Sequence, residues 1–184
     1  MAKGIAAFLA LFLGAVWFFH ASYLWMPGQS VAWSEEKLSA EESRLEASLR
    51  RHVSFLVDTG ERHMGAYENL RDAAAYIEQQ FYSSGYEPKR QGYLVGDQKV
   101  WNLEVEIPGG DLVDEILVLG AHYDTVPGSP GANDNASGVA ALLTLAHEMR
   151  DFKPLRTIRF IAFVNEENPY AGTDKMGSVR YAQS

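Results

Sequence analysis

The stretch from Ile116 to Val164 constrains the fold more than any other part of this chain. Ile116 to Leu119 is continuously apolar, as is most of Ile158 to Val164, and both runs have strand rather than helix length. Between them a polar, glycine-bracketed loop leads into Val139, Leu142, Leu143 and Ala146, which are spaced as one face of a helix. Strand, loop, helix and strand at these lengths make a βαβ crossover, so at least part of the sheet is expected to be parallel. An unbroken apolar strand such as Ile116–Leu119 is expected to be buried on both faces.

The segments before this unit continue the alternation. Ser39 followed by Glu42 has capping-box spacing, and Leu45, Leu49, Val53 and Leu56 recur on one helical face until Gly60. A second stripe, Leu70, Ala73, Ala74, Ile77 and Phe81, stops at Gly85. Leu103, Val105 and Ile107 alternate with Glu104 and Glu106, which predicts a strand with one wet face before the Pro108-Gly109-Gly110 turn.

Composition removes several function classes. The 184 residues carry 16 basic and 24 acidic side chains, a formal charge of −8, with 47% hydrophobic residues. That balance excludes a disordered chain and gives no reason to expect a nucleic-acid partner. There is no cysteine, which rules out disulfides, a thiol nucleophile and thiolate metal sites. Any metal must be held by His and carboxylates.

Residues 1–29 form a separate unit. No charged side chain interrupts Gly4 to Met26, and at about 1.5 Å per residue this run would reach about 34 Å, enough for a hydrocarbon core of about 30 Å. Lys3 stands on one side, and Tyr23 and Trp25 near the other as interfacial aromatics. The expectation is an uncleaved transmembrane anchor, with a cleaved signal peptide as the alternative. Either places residues 30–184, the expected catalytic domain, outside the cytoplasm.

Chemistry-bearing residues collect at the ends of the two apolar strands, where open α/β sheets place ligands. His122 and Asp124 follow the first strand, Glu166 and Glu167 follow the second, and Asp134 lies in the loop Gly131 to Gly138. Imidazole and carboxylate donors suit zinc, with manganese or cobalt as alternatives. Asp124 can fix the tautomer of a ligating His122, Asp134 could bridge two ions, and of the adjacent glutamates one can bind metal while the other takes a proton from water. His147-Glu148 begins like an H-E-x-x-H zinc motif, but position 151 is Asp and the match fails. Asn135-Ala136-Ser137 fits a glycosylation acceptor, yet a glycan beside Asp134 would block the site. His52 and His63 are expected to be packing or loop residues.

The stretches GAHYDTVPGSPGANDNASGVAALLTLA and RTIRFIAFVNEEN resemble the first half of the metal site in peptidase family M28, the co-catalytic zinc aminopeptidases and their carboxypeptidase and glutaminyl cyclase relatives. The resemblance extends from about His52 to Tyr181 and includes Asn102-Leu103 and Gly177-Ser178. It implies an α/β, three-layer zinc-exopeptidase-like fold with a mixed, partly parallel sheet between helices. It implies two zinc ions in a complete site, with His122 on one, Glu167 on the other and Asp134 bridging. Glu166 would be the general base and Asp124 would orient His122. The implied activity is removal of N-terminal residues from peptides, with glutaminyl-peptide cyclotransfer or a non-catalytic remnant as alternatives. The family pattern needs one further Asp and one further His, and after Glu167 this sequence offers only Asp174 and no His. The expectation is therefore a partial site in a fragment truncated at its C-terminus.

Overall fold

The computed structural model describes residues 2–24 and 37–184. The chain divides into two units, Met1–Lys37 and Leu38–Ser184. In the first, helix α1 (Ala2–Phe19) gives way to a π-type turn over His20–Leu24. Leu11, Leu13, Val16, Trp17 and Phe18 of this helix are exposed. The expected membrane-spanning helix is not borne out here. Among the described residues no helix is long and apolar enough to cross a membrane. Residues 25–29 of the expected span, and its boundary with the domain, lie outside the described residues.

In the second unit, the Ser39 hydroxyl accepts the Glu42 N–H, and the Glu42 carboxylate accepts the Ser39 N–H. This capping box starts α2 (Ala40–Asp58) where the spacing predicts it. The inward line of α2 differs from the expected stripe: Leu56 and His52 are buried, while Leu49 is exposed. His52 enters the interior because its Nδ1 pairs with the Tyr76 hydroxyl at 2.7 Å. Helix α3 (Tyr67–Ser83) buries Leu70, Ala73, Ala74, Ile77 and Phe81, every member of the predicted stripe. It ends before Gly85, whose φ of +90° lets the chain reverse where a Cβ would be strained.

Four strands follow: β1 (Lys89–Val95), β2 (Gln98–Ile107), β3 (Leu112–His122) and β4 (Arg156–Phe163), in the spatial order β1-β2-β4-β3. The β1–β2 and β2–β4 pairs are antiparallel, and β3–β4 is parallel, crossed over by α4 (Ser137–Met149). The sheet is mixed, as expected. On β2 the odd positions Leu103, Val105 and Ile107 are buried on the side of α3, whereas Asn102 and Glu104 reach α5 (Gly177–Ala182) through Gly177 O and the Tyr181 hydroxyl. Helices thus cover both faces. The core joins Leu56, Ile77 and Phe81 of the helices to Val105, Val139, Leu143 and Phe160.

The expected burial of the first apolar run on both faces also fails. Ile116, Leu117 and Val118 are 46%, 49% and 44% exposed, not buried on both faces. Their strand pairs with β4 alone and so forms an edge of the sheet, where an apolar run gains cover from one side only. The second run, Ile158–Val164, is central and buried almost throughout.

Candidate metal centre

Parallel pairing of β3 with β4 sets His122 opposite Phe163, so both strands deliver their next residues to the same end of the sheet. After β4 the backbone turns at Asn165, whose φ of +59° is one that asparagine tolerates better than most residues. That turn aims the N–H groups of Glu166 and Glu167 back at Asp124. The buried Asp124 carboxylate accepts the first through Oδ1 and the second through Oδ2, each at 3.1 Å. The third contribution is the loop Ala132–Ala136 leading into α4, where Asn135 Oδ1 accepts the Gly138 N–H at 3.0 Å and anchors the start of the helix.

His122 is the centre of the arrangement. Its Nε2 lies 3.0 Å from Asp134 Oδ1 and 3.8 Å from Glu166 Oε2. His122, Glu166 and Glu167 each offer a ligand atom, all within 4.8 Å of one another. Asp134 adjoins this group through His122, its side chain 73% exposed against 11% for the imidazole. The five residues singled out in the sequence are therefore brought together. The closest trio, however, contains Glu166 instead of Asp134. Asp124 also differs from expectation in emphasis: His122 Nδ1 stands 3.5 Å from its Oδ1 and is buried without a hydrogen bond of ordinary geometry, while both Asp124 oxygens serve the backbone of the glutamates.

The electrostatics are those of a cation site. Burial pulls the His122 imidazole down, but Asp124, Glu166 and Asp134 outweigh it and lift it to about 9. Burial raises Glu167 above its ordinary range, and Asp134 adds to that rise while His122 opposes it. Crowded carboxylates around an imidazole with an unpartnered buried nitrogen hold nitrogen and oxygen donors only, a set that fits zinc. The residues present fit a divalent ion.

Two side chains shape the site in ways the sequence alone did not assign to them. Asn102 in β2 donates from Nδ2 to Gly177 O at 2.8 Å and accepts the Val164 N–H at 3.1 Å, which ties the exit of β4 to α5. Arg62, on the loop after α2, is buried beside the β3 end. A lone Asn in a strand and a lone Arg in a loop carry no local signal of either role. His63 is a loop residue that pairs with Glu61 and lines the same cavity as Asp124 and Glu167 without joining the trio, and His147 sits on α4 bonded to Ser84.

Comparison with known proteins agrees with this geometry. Residues 102–184 match the model of peptidase family M28. The uncharacterized protein YfbL of Escherichia coli is 32% identical over 145 residues, covering 74% of this chain and 44% of YfbL. Aminopeptidase YwaD of Bacillus subtilis is 49% identical over 53 residues, 29% of this chain and 12% of YwaD. The chain thus spans less than half the length of these relatives. Among solved structures, a glutaminyl cyclase of Bacteroides thetaiotaomicron superposes with a TM-score of 0.61 at 22% identity, covering 75% of this chain and 56% of that one, a likeness of fold. The matched family model, the related aminopeptidase and the His122-centred cluster point the same way: residues 102–184 of this chain match peptidase family M28.

Proposed function

We propose that this chain carries residues of a zinc exopeptidase site acting on peptides, most simply as an aminopeptidase. The observation that carries the reading is the approach of His122 Nε2 to Asp134 Oδ1 at 3.0 Å with both glutamates in reach. His122, Asp134 and Glu167 would hold two ions. When bound, the ions supply Lewis acidity toward the scissile carbonyl and acidify water. Glu166, with 41% of its side chain exposed, is free to take the proton of the attacking water and pass it to the leaving amine. Asp124 keeps Glu166 and Glu167 in place through their backbones.

The similarity to aminopeptidase YwaD supports hydrolysis of N-terminal peptide bonds. The test is release of p-nitroaniline from aminoacyl anilides, with and without a chelator, beside an assay for cyclisation of N-terminal glutamine. Chelator-sensitive hydrolysis that Glu166→Gln abolishes supports the reading. Cyclisation without hydrolysis would replace it with a cyclotransferase, and neither activity, at any zinc concentration, would leave a non-catalytic module. The apolar residues 4–26 support an extracytoplasmic location, checked by whether an external protease reaches the domain in intact cells.

A further inference from the structure

Among the described residues Arg62 is the largest fully buried side chain, at 0% exposed. Burying a guanidinium costs several kcal/mol unless its donors are met. Here they are met by main-chain carbonyls from three segments. Nη1 donates to Leu56 O (2.6 Å) and Gly60 O (3.0 Å) at the end of α2, and to Pro130 O (2.9 Å). Nε donates to Tyr123 O (2.8 Å) and Nη2 to Gly131 O (3.3 Å). The Arg62 backbone pairs with Thr125 on both sides: its N–H donates to Oγ1 at 2.9 Å, and its carbonyl accepts the Thr125 N–H at 2.8 Å.

Two of these three segments carry the metal-site residues. Tyr123 lies between His122 and Asp124, and Gly131 opens the loop that presents Asp134. The third is the C-terminal end of α2, where exposed carbonyls favour a cation. Gly131 is close-packed into the same junction: its φ is +59°, and a Cβ there would meet Asp134 O at 2.6 Å and Arg62 Nη2 at 2.9 Å. A requirement for packing alone would be met by an apolar side chain of similar length. The fork of donors meets a different requirement, to hold several carbonyls of two separate loops at once.

We propose that Arg62 is a positioning residue of the metal site: it locks the end of β3 against the Gly131 loop so that His122 and Asp134 face each other across one ion position. This rests on the metal-site reading above. The test compares Arg62→Lys, Arg62→Met and Gly131→Ala with Phe81→Leu, a core change in α3 away from the site, all in the full chain. Unfolding temperature is measured without metal, and Zn2+ and Co2+ affinity, with the Co2+ visible spectrum, well below the lowest melting point. Lysine keeps the charge but loses the fork, so Arg62→Lys is expected to weaken binding about 10-fold, within the range for residues that orient ligands, and to alter the Co2+ spectrum. Arg62→Met is expected to lose more, and Phe81→Leu to lower stability with unchanged affinity. If Arg62→Met does not fold, Arg62→Lys and Gly131→Ala carry the comparison. Variants that lose stability yet bind metal like the unaltered chain would overturn the inference alone. An unaltered chain that binds neither ion would overturn the site reading with it.

Discussion

Asp124 Oδ2 accepts the backbone N–H of Glu167 at 3.1 Å, so a carboxylate on one strand end fixes the peptide that carries a candidate ligand on the next. The partner oxygen does the same for Glu166. Asp124→Asn keeps the shape but turns an NH2 toward one of these N–H groups. The loss of one buried charge-assisted bond is expected to cost about 1–3 kcal/mol and to weaken zinc binding about 10-fold. Thermal melts and calorimetry on the variant check both.

Glu166→Gln removes the proton acceptor without changing size. Chelator-sensitive hydrolysis, once measured, is expected to fall by about 10²–10⁴-fold in kcat. Because Glu166 also lies in the close trio with His122 and Glu167, zinc affinity of this variant should be measured beside its rate. A rate loss that added zinc restores would make Glu166 a ligand instead of a base.

Burial, with smaller help from Arg51 and His147, pulls His52 down to about 4. As pH falls below about 6.5 the unfolded chain takes up this proton while the folded chain does not, so stability is complete above that pH and drops between about 6.5 and 4. At 1.36 kcal/mol per unit the loss is on the order of 3 kcal/mol. Urea unfolding of the unaltered chain and of His52→Gln at pH 7.5 and 4.5 tests this. The difference between the two proteins should shrink at the lower pH.

Gly177 opens α5 where a Cβ would run into Asn102 Oδ1 and Val164 O. Gly177→Ala must push α5 off the sheet or break the Asn102 clamp, at a cost of about 1–3 kcal/mol. Amide exchange should then rise at Val164 and Gly177, whose N–H groups bond Asn102 Oδ1 and Val164 O.

What the sequence discloses follows from how local each signal is. The Leu70–Phe81 stripe and the Ser39–Glu42 box are helical-period features, and both form as read. The crossover was legible because two apolar runs with a helix between them leave few arrangements. The exposure of Ile116–Val118 was not, since strand burial depends on the neighbour at the edge and not on the strand itself. Within the site, residue identities were readable from their positions at strand ends. Finer geometry was not: Asp124 bonds backbone groups about 40 residues away, and Arg62 is satisfied by carbonyls from three separated segments. A buried charge satisfied by distant carbonyls leaves no pattern around itself.

In the reading proposed above, His122, Asp134 and Glu167 hold a divalent ion and Glu166 stands beside it as the base. Calorimetric titration of the full chain with Zn2+, beside His122→Ala and Glu167→Gln, tests it most directly. Saturable binding that each substitution weakens at least about 10-fold is the predicted result. Binding that both variants retain unchanged, or no saturable binding in the unaltered chain, would contradict it.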